Sequence, residues 1–219
     1  MAKTITLSEL RQQVRERADM VNSLFVTDSE ITTYINQSAS ALHDMLVQKF
    51  GNDYYLSSSS LSIQSGVDLY SLPADFYKLT GIDVVLSSGR STPLKRFGWD
   101  DRNRAGHAAV GSVNFRYRVQ GTQIRLSPTP SANHTAILWY VPTVATLSSG
   151  TDVLDGVNGW EEFVVVDAAI KCKEKEESDT RILERQRQRL ELRIEEAAEN
   201  RDAGEPITVR DVYDDLGWF

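Results

Sequence analysis

The chain has 219 residues, a formal net charge of -7 and an apolar fraction of 41%. Its length suits one good core, or one core with an inserted subdomain, and its composition is that of an ordinary globular protein. The acidic balance argues against a protein that grips nucleic acid over a wide basic face, although it permits one that surrounds DNA and lets it slide.

Two amphipathic helices are predicted at the start of the chain. Thr6-Leu7-Ser8-Glu9 is a capping box, in which the threonine hydroxyl accepts from the third helical N–H while the glutamate reaches back. Thr27-Asp28-Ser29-Glu30 is a second capping box, and Gly51 stands where a C-terminal cap is wanted. Short-linked helices with facing apolar stripes predict an antiparallel hairpin over residues 1–52. The stripe predicted for the first helix is Leu7, Leu10, Val14, Ala18 and Val21.

Beyond Gly51 the apolar pattern changes from helical spacing to alternation. Gln120-Gly121 separates two alternating stretches and predicts a tight hairpin. Because no crossover helices intervene, we predict four to six antiparallel strands in a small sandwich or folded sheet, inserted over residues 53–150. The stretches that favour strands are 54–63, 66–76, 80–86, 114–119, 122–126 and 135–141.

A helix-forming stretch without Gly or Pro runs from Trp160 to about Asp202. As one helix it would be about 63 Å long, whereas a compact chain of this size is about 44 Å across. Either the helix breaks near Glu177-Ser178-Asp179 or its end projects beyond the body. Because neither a capping box nor a glycine marks a break, the expectation is one long C-terminal helix that completes the helical body over residues 151–202. The predicted fold class is therefore α+β.

Arginines and glutamates alternate along the second half of this stretch. One interpretation is a solvated helix face laced with ion pairs, a second is a surface for subunit contacts, and direct contact with DNA is the least favoured. The residues assigned to subunit contacts are Arg181, Arg185, Arg189 and Arg193.

The last segment, residues 203–219, is predicted to be an extended tail. It holds too few apolar residues for a core of its own, yet a disordered tail is usually poor in aromatics. Buried aromatic anchors drive the binding of extended segments, so we predict that the tail docks on another subunit or a partner. Packing on its own body and free disorder are the alternatives. The residues predicted to make this contact are Ile207, Val209, Val212, Tyr213, Leu216, Trp218 and Phe219.

No catalytic, cofactor-binding or metal-binding site is predicted. The three histidines, at positions 43, 107 and 134, have no partner at metal-ligand or triad spacing. No Gly-rich phosphate loop is present. Asp100-Asp101 and Asp214-Asp215 are weak signals, because a hard cation needs several convergent oxygens. We therefore expect a protein that is not an enzyme and needs no cofactor.

Neither a disulfide nor a membrane span is expected. Cys172 is the single cysteine, and within a helix-forming stretch it is interpreted as a small buried residue. No apolar run approaches the roughly 20 residues that cross a bilayer, and the first residues lack the apolar core of a signal peptide. The expected location is a cytoplasm, or a particle assembled there.

Several short stretches follow one another in a recognisable order along nearly the whole chain. They are Leu7 to Arg11 with Arg15 and Arg17, Val26 to Ile31, Tyr34 to Ser38, Tyr70 to Phe76, Trp139 to Pro142, and Gly159 to Glu162 before a helix that ends near Arg201-Asp202. Together they resemble the head-to-tail adaptor proteins of tailed bacteriophages, of the tail-tubular or connector-adaptor kind. The resemblance rests on the order of these stretches, since each one alone is a structural pattern of low specificity.

This resemblance implies a virion protein that forms a ring, commonly dodecameric, beneath the portal once the head is filled with DNA. The other face of the ring would receive the tail tube, a nozzle or the next completion protein. A C-terminal extension often engages the portal in such adaptors, and they carry no catalytic residues. DNA would pass through the channel without specific binding during genome ejection, and an acidic chain would repel its backbone.

Two other classes of function stay open at this point. The chain could be a soluble scaffold or regulatory protein that uses the β insertion as a binding module, or a virion-associated hydrolase. Co-assembly with a portal ring would favour the adaptor. A carboxylate pair or histidine cluster facing one pocket would favour the hydrolase.

Overall fold

The computed structural model describes residues 4–51, 54–86, 88–101, 113–155 and 159–199. These residues divide into two compact units, which fall within Met1–Phe50 plus Leu147–Phe219 and within Gly51–Thr146. Four helices and antiparallel sheets are present among them, so the predicted α+β class is confirmed.

The elements follow one another in a helix-rich, then strand-rich, then helix-rich order. In chain order they are β1 (Thr4–Thr6), α1 (Leu7–Arg17), α2 (Asp28–Phe50), β2 (Ser57–Ile63), β3 (Leu69–Ser71), β4 (Phe76–Val85), β5 (Ser91–Pro93), a 3-10 turn (Trp99–Asp101), β6 (Arg116–Gln120), β7 (Gln123–Ser127), β8 (His134–Pro142), β9 (Val153–Asp155), α3 (Glu161–Lys175) and α4 (Arg181–Glu199).

Both predicted capping boxes form. The Thr6 hydroxyl accepts from the Glu9 N–H at 3.3 Å, and the Glu9 carboxylate accepts from the Thr6 N–H at 2.8 Å. The same reciprocal bonds join Thr27 and Glu30 at 3.3 Å and 2.9 Å. Gly51 follows α2 with φ of 82°, the left-handed conformation expected of a C-terminal cap. These local signals place the starts of α1 and α2 where the sequence predicts them.

Helix α1 ends earlier than its apolar spacing predicts. Ala18 is buried, but Val21 is 60% exposed, so the expectation that Val21 continues the apolar stripe is wrong. The chain turns at Asp19, whose φ is 60°. Met20 donates its N–H to the Arg15 carbonyl at 2.8 Å, and its side chain takes the buried place instead.

The expected single long C-terminal helix is also wrong. Helix α3 ends at Lys175 and α4 begins at Arg181. Glu177 has φ of 57°, and the Ser178 N–H donates to the Lys173 carbonyl at 3.0 Å. This bond and the left-handed residue are those of a Schellman motif, which ends a helix. The break lies at the alternative position near residues 177–179, and α4 contacts α3 instead of projecting.

Helix α3 is the centre of the helical unit. Every residue from Phe163 to Ile170 is buried, as is Cys172. A helix that is buried on all sides needs neighbours all round, and α3 contacts α1, α2 and α4. Cys172 is buried, which confirms its interpretation as a small buried residue, and this burial raises the pKa of its thiol to about 11. Strands β1 and β9 pair antiparallel within the same unit.

The β unit is a small sandwich of two antiparallel sheets. Its described strands have the orders β2-β8-β4-β5 and β3-β7-β6, and the predicted tight hairpin joins β6 to β7 at Gly121, whose φ is 56°. These are seven strands, not four to six, because β5 is three residues long and lacks alternation. Side chains from both sheets share one buried cluster: Ile63, Ile82, Val84, Leu94, Phe115, Ile124, Leu126, Ala136, Leu138 and Tyr140.

Candidate interaction surfaces

The predicted tail contacts fall in a part of the chain that the structure does not describe. All seven residues assigned to the portal or a neighbouring subunit lie outside the described ranges, which end at residue 199. They are Ile207, Val209, Val212, Tyr213, Leu216, Trp218 and Phe219. Their role therefore stays a prediction.

Three of the four arginines assigned to subunit contacts share one exposed side of α4. Residues three, four and seven apart lie on the same side of a helix, and the exposed positions follow this spacing. Two aliphatic side chains lie among the arginines: Ile182 is 78% and Leu192 is 60% exposed. We call this surface the α4 outer face; it consists of Ile182, Arg185, Arg189, Leu192 and Arg193.

The three arginines of the α4 outer face make no hydrogen bond or ion pair with a residue that the structure describes. Arg185 lies close enough to Asp179 for its charge to add a small effect to the hydrogen bonds from Arg181 that lower the pKa of Asp179. Arg181 differs, because its guanidinium group pairs with Asp179 at 2.7 Å. The hydrogen bonds from Arg181 lower the pKa of Asp179 to about 2. Arg181 therefore serves the turn before α4, whereas the other three guanidinium groups face solvent.

The opposite side of α4 holds the helix in place. Leu183 and Ile194 are buried there, and the Gln186 amide donates to Glu162 at 3.1 Å. Near the far end, Lys49 pairs with Glu195 at 3.2 Å. The inner contacts fix which side of α4 faces outward.

A buried polar cluster joins α4 to the centre of the unit. The Asp167 carboxylate, whose side chain is 8% exposed, accepts from Arg187 at 3.0 Å and from Lys171 at 2.7 Å. The Ser38 hydroxyl also donates to it at 2.7 Å. Burial alone would raise the pKa of Asp167, but the hydrogen bonds from Lys171, Ser38 and Arg187 outweigh it and lower that pKa. A buried, charged carboxylate with this many donors is a structural anchor.

Arg15 stabilises the loop between α1 and α2 through hydrogen bonds to its backbone. Its guanidinium group donates to the carbonyls of Met20, Ser23 and Val26 at 3.4, 2.9 and 3.1 Å. It also pairs with Asp28 at 2.7 Å. A planar five-donor group can bind several carbonyl oxygens at once, so one side chain fixes the path of the loop.

This loop presents a second exposed apolar surface, which the sequence does not predict. Leu24 is 90%, Val21 60% and Phe25 56% exposed. Lys175 lies 4.8 Å from the centre of the Phe25 ring and donates to the Phe25 carbonyl at 3.0 Å. No spacing rule marks these residues, because their exposure follows from the early end of α1.

The histidines and carboxylate pairs are dispersed. His43 is buried in α2, and His134 lies on β8 with its ring 5.6 Å from that of Phe115. Asp100-Asp101 occupies the 3-10 turn. Position 107 and the pair at 214–215 lie outside the described ranges. Among described residues, no group of three or more His, Cys, Asp or Glu could hold a metal ion.

No helix in the described part of the chain combines the length and the apolarity needed to cross a membrane. One protein-family model, described as SU10 adaptor protein, matches residues 5–210. The match includes residues of both compact units. No curated protein matches the chain.

Proposed function

The chain belongs to the SU10 adaptor protein family, a family of phage head–tail adaptors, and we propose that its copies form a ring beneath the portal. As a member of this family it is a structural component of the virion. In the proposal the ring is dodecameric, joins the DNA-filled capsid to the tail, and lets DNA pass during ejection. Its tail-side partner is a tail tube, nozzle or completion protein.

The α4 outer face is the observation that carries the ring proposal. Ring subunits meet through two different surfaces that close by rotation, and such contacts need exposed groups that the isolated subunit leaves unpaired. The α4 outer face supplies three unpaired guanidinium groups and two aliphatic side chains. In this proposal Arg185, Arg189 and Arg193 make subunit contacts, and Arg181 orients the turn that precedes them.

The net charge favours a channel through which DNA passes, and it disfavours a surface that binds DNA tightly. A chain of net charge -7 repels the phosphate backbone, so DNA inside the ring would not adhere to it. Membership of a structural adaptor family indicates a protein that is not an enzyme. No observation on the described residues favours the alternative of a regulatory scaffold.

The tail is proposed to bind the portal or the neighbouring adaptor. Its aromatic and aliphatic residues would be ordered at assembly, and the binding contacts would offset the entropy lost. Deletion of residues 203–219 should therefore weaken attachment to the portal without unfolding the protein.

Portal rings from the same phage provide the test. The intact chain, the tail deletion and a control variant are each mixed with the rings, and attachment is read by sedimentation and electron microscopy. The control is K78E/R90E/R116E, which reverses three exposed basic residues of the β unit. We expect rings of the intact chain and of the control at the portal. If the intact chain does not attach, the proposed function is wrong; if the deletion attaches undiminished, the role of the tail is wrong.

A further inference from the structure

The unpaired cations of α4 are concentrated on one side of the helix. Arg187, on the inner side, pairs with the Asp167 carboxylate at 3.0 Å and with Glu191 at 3.3 Å. The arginines of the α4 outer face have no such partners among the described residues. Guanidinium groups bind carboxylates through short, charge-assisted and often bidentate hydrogen bonds. A segment that carries carboxylates beside apolar side chains would therefore complement the α4 outer face.

The chain itself contains a segment of that chemistry. The tail at residues 203–219 has four acidic residues and one basic residue, beside the seven apolar and aromatic residues named above. The tail carries opposite charge to the α4 outer face, and both combine charge with aliphatic side chains. Charge complementarity of this kind selects and orients a partner.

The spacing of charged and apolar groups on the α4 outer face also matches their spacing in the tail sequence. Ile182 and Leu192 are ten positions apart on a helix, which places them about 15 Å apart along its axis. In an extended chain Val212 and Leu216 would lie about 13 Å apart. Asp214-Asp215 stands between them in sequence, as Arg185 and Arg189 stand between Ile182 and Leu192.

We propose that the α4 outer face of one copy binds the acidic tail, residues 203–219, of a neighbouring copy. A heterologous ring contact needs two different complementary surfaces on every subunit, and these two segments provide both from one sequence. The inference rests on the proposed function for the closed ring in which it would operate, although the contact itself can be measured between any two copies.

Cysteine cross-linking of the full-length chain tests this contact. One variant carries Leu192→Cys and the other Leu216→Cys, and the two are mixed under mild oxidation, alone at high concentration and on portal rings. Cys172 is buried and its pKa is raised to about 11 by that burial, so it contributes little reactive thiolate. We expect a disulfide-linked heterodimer that reducing agent dissolves. The matched control replaces Leu192→Cys by Ala41→Cys, an exposed position on α2.

The outcomes separate the contact from the portal function. A heterodimer formed through position 192 and not through position 41 supports the inference, whether or not the chain attaches to the portal. Portal attachment without this heterodimer overturns the inference and leaves the proposed function standing. If the doubly substituted chain L192C/L216C links only within itself, the tail binds its own helix and the neighbour-binding inference is wrong.

Charge reversal supplies an independent readout. R185E/R189E/R193E places three carboxylates opposite the acidic tail, so cross-linking through positions 192 and 216 should fall about tenfold or more. Pairing that variant with a copy carrying D211R/D214R/D215R should restore cross-linking. K78E/R90E/R116E, which changes the net charge equally within the β unit, should leave it unchanged. Equal loss in both triple variants would overturn the inference, because the effect would then follow net charge alone.

Discussion

Arg187 of α4 reaches the buried carboxylate of Asp167 on α3 at 3.0 Å. Asp167 also accepts from Lys171 at 2.7 Å, so two cations from two helices converge on one anion. Together with the buried Leu183 and Ile194, this pairing holds α4 in the rotation that turns Arg187 inward and the α4 outer face outward.

Replacing Asp167 with alanine should destabilise the protein strongly. The change leaves Lys171, Arg187 and Ser38 without their shared acceptor, and loss of a buried charged partner costs about 2–4 kcal/mol. Urea unfolding followed by circular dichroism measures the change in free energy of unfolding. Asp179→Ala is the control: it removes a solvent-exposed ion pair with Arg181 and one hydrogen bond from the Arg181 N–H, which together should cost about 1 kcal/mol. Equal losses in the two variants would contradict the anchoring role.

Glu30 should make stability fall in mild acid. The hydrogen bond from Lys175, with those from Thr27, lowers the pKa of Glu30 from 4.5 to about 2. A carboxyl group with a depressed folded pKa stabilises the protein fully above its unfolded pKa and loses that contribution as pH falls through its folded pKa. The loss therefore lies between pH 4.5 and about 2. Glu30→Gln should flatten the dependence of unfolding free energy on pH in this window, and an unchanged slope would contradict the role of Glu30.

Arg15 should control the mobility of the loop between α1 and α2. Arg15→Lys removes the planar fork that binds the carbonyls of Met20, Ser23 and Val26, and an ammonium group cannot reach all three. We expect faster amide hydrogen exchange at residues 19–26 and a loss of about 1–2 kcal/mol in unfolding free energy. Arg11→Lys, which gives up one 2.8 Å bond to Thr32, is the matched control. Unchanged exchange in the Arg15 variant would show that the loop holds its path by other contacts.

The features that the sequence predicts well are those with local chemical causes. The capping boxes at Thr6 and Thr27 need only residues three apart, and both form. Alternation in the β unit reports burial of one side of each strand, so six of the seven described strands of that unit overlap a predicted stretch. The spacing of Leu183 and Ile194, four and seven positions from Arg187, already places Arg187 on the inner side of α4. The sequence does not show that the partner of Arg187 is Asp167, twenty positions away on another helix.

The ends of α1 and α3, which the sequence predicts wrongly, share one cause. Helix α1 ends before Asp19 and α3 before Glu177, and both residues adopt a left-handed conformation with φ of 60° and 57°. Glycine is the usual residue there because it has no Cβ to clash. Sequence rules that look for glycine therefore miss both ends, since tertiary packing of the following segment imposes the turn.

Glu177→Gly should stabilise the turn between α3 and α4. A non-glycine residue in the left-handed conformation costs roughly 1 kcal/mol, and glycine removes this strain while adding some chain entropy to the unfolded state. We expect a net gain of up to about 1 kcal/mol in unfolding free energy, measured by urea titration. Glu176→Gly is the matched control: Glu176 has φ of -81°, so glycine there relieves no strain and should destabilise by about 0.5–1 kcal/mol. Destabilisation by both substitutions would mean that Glu177 is held without strain and that the turn owes its shape to other residues.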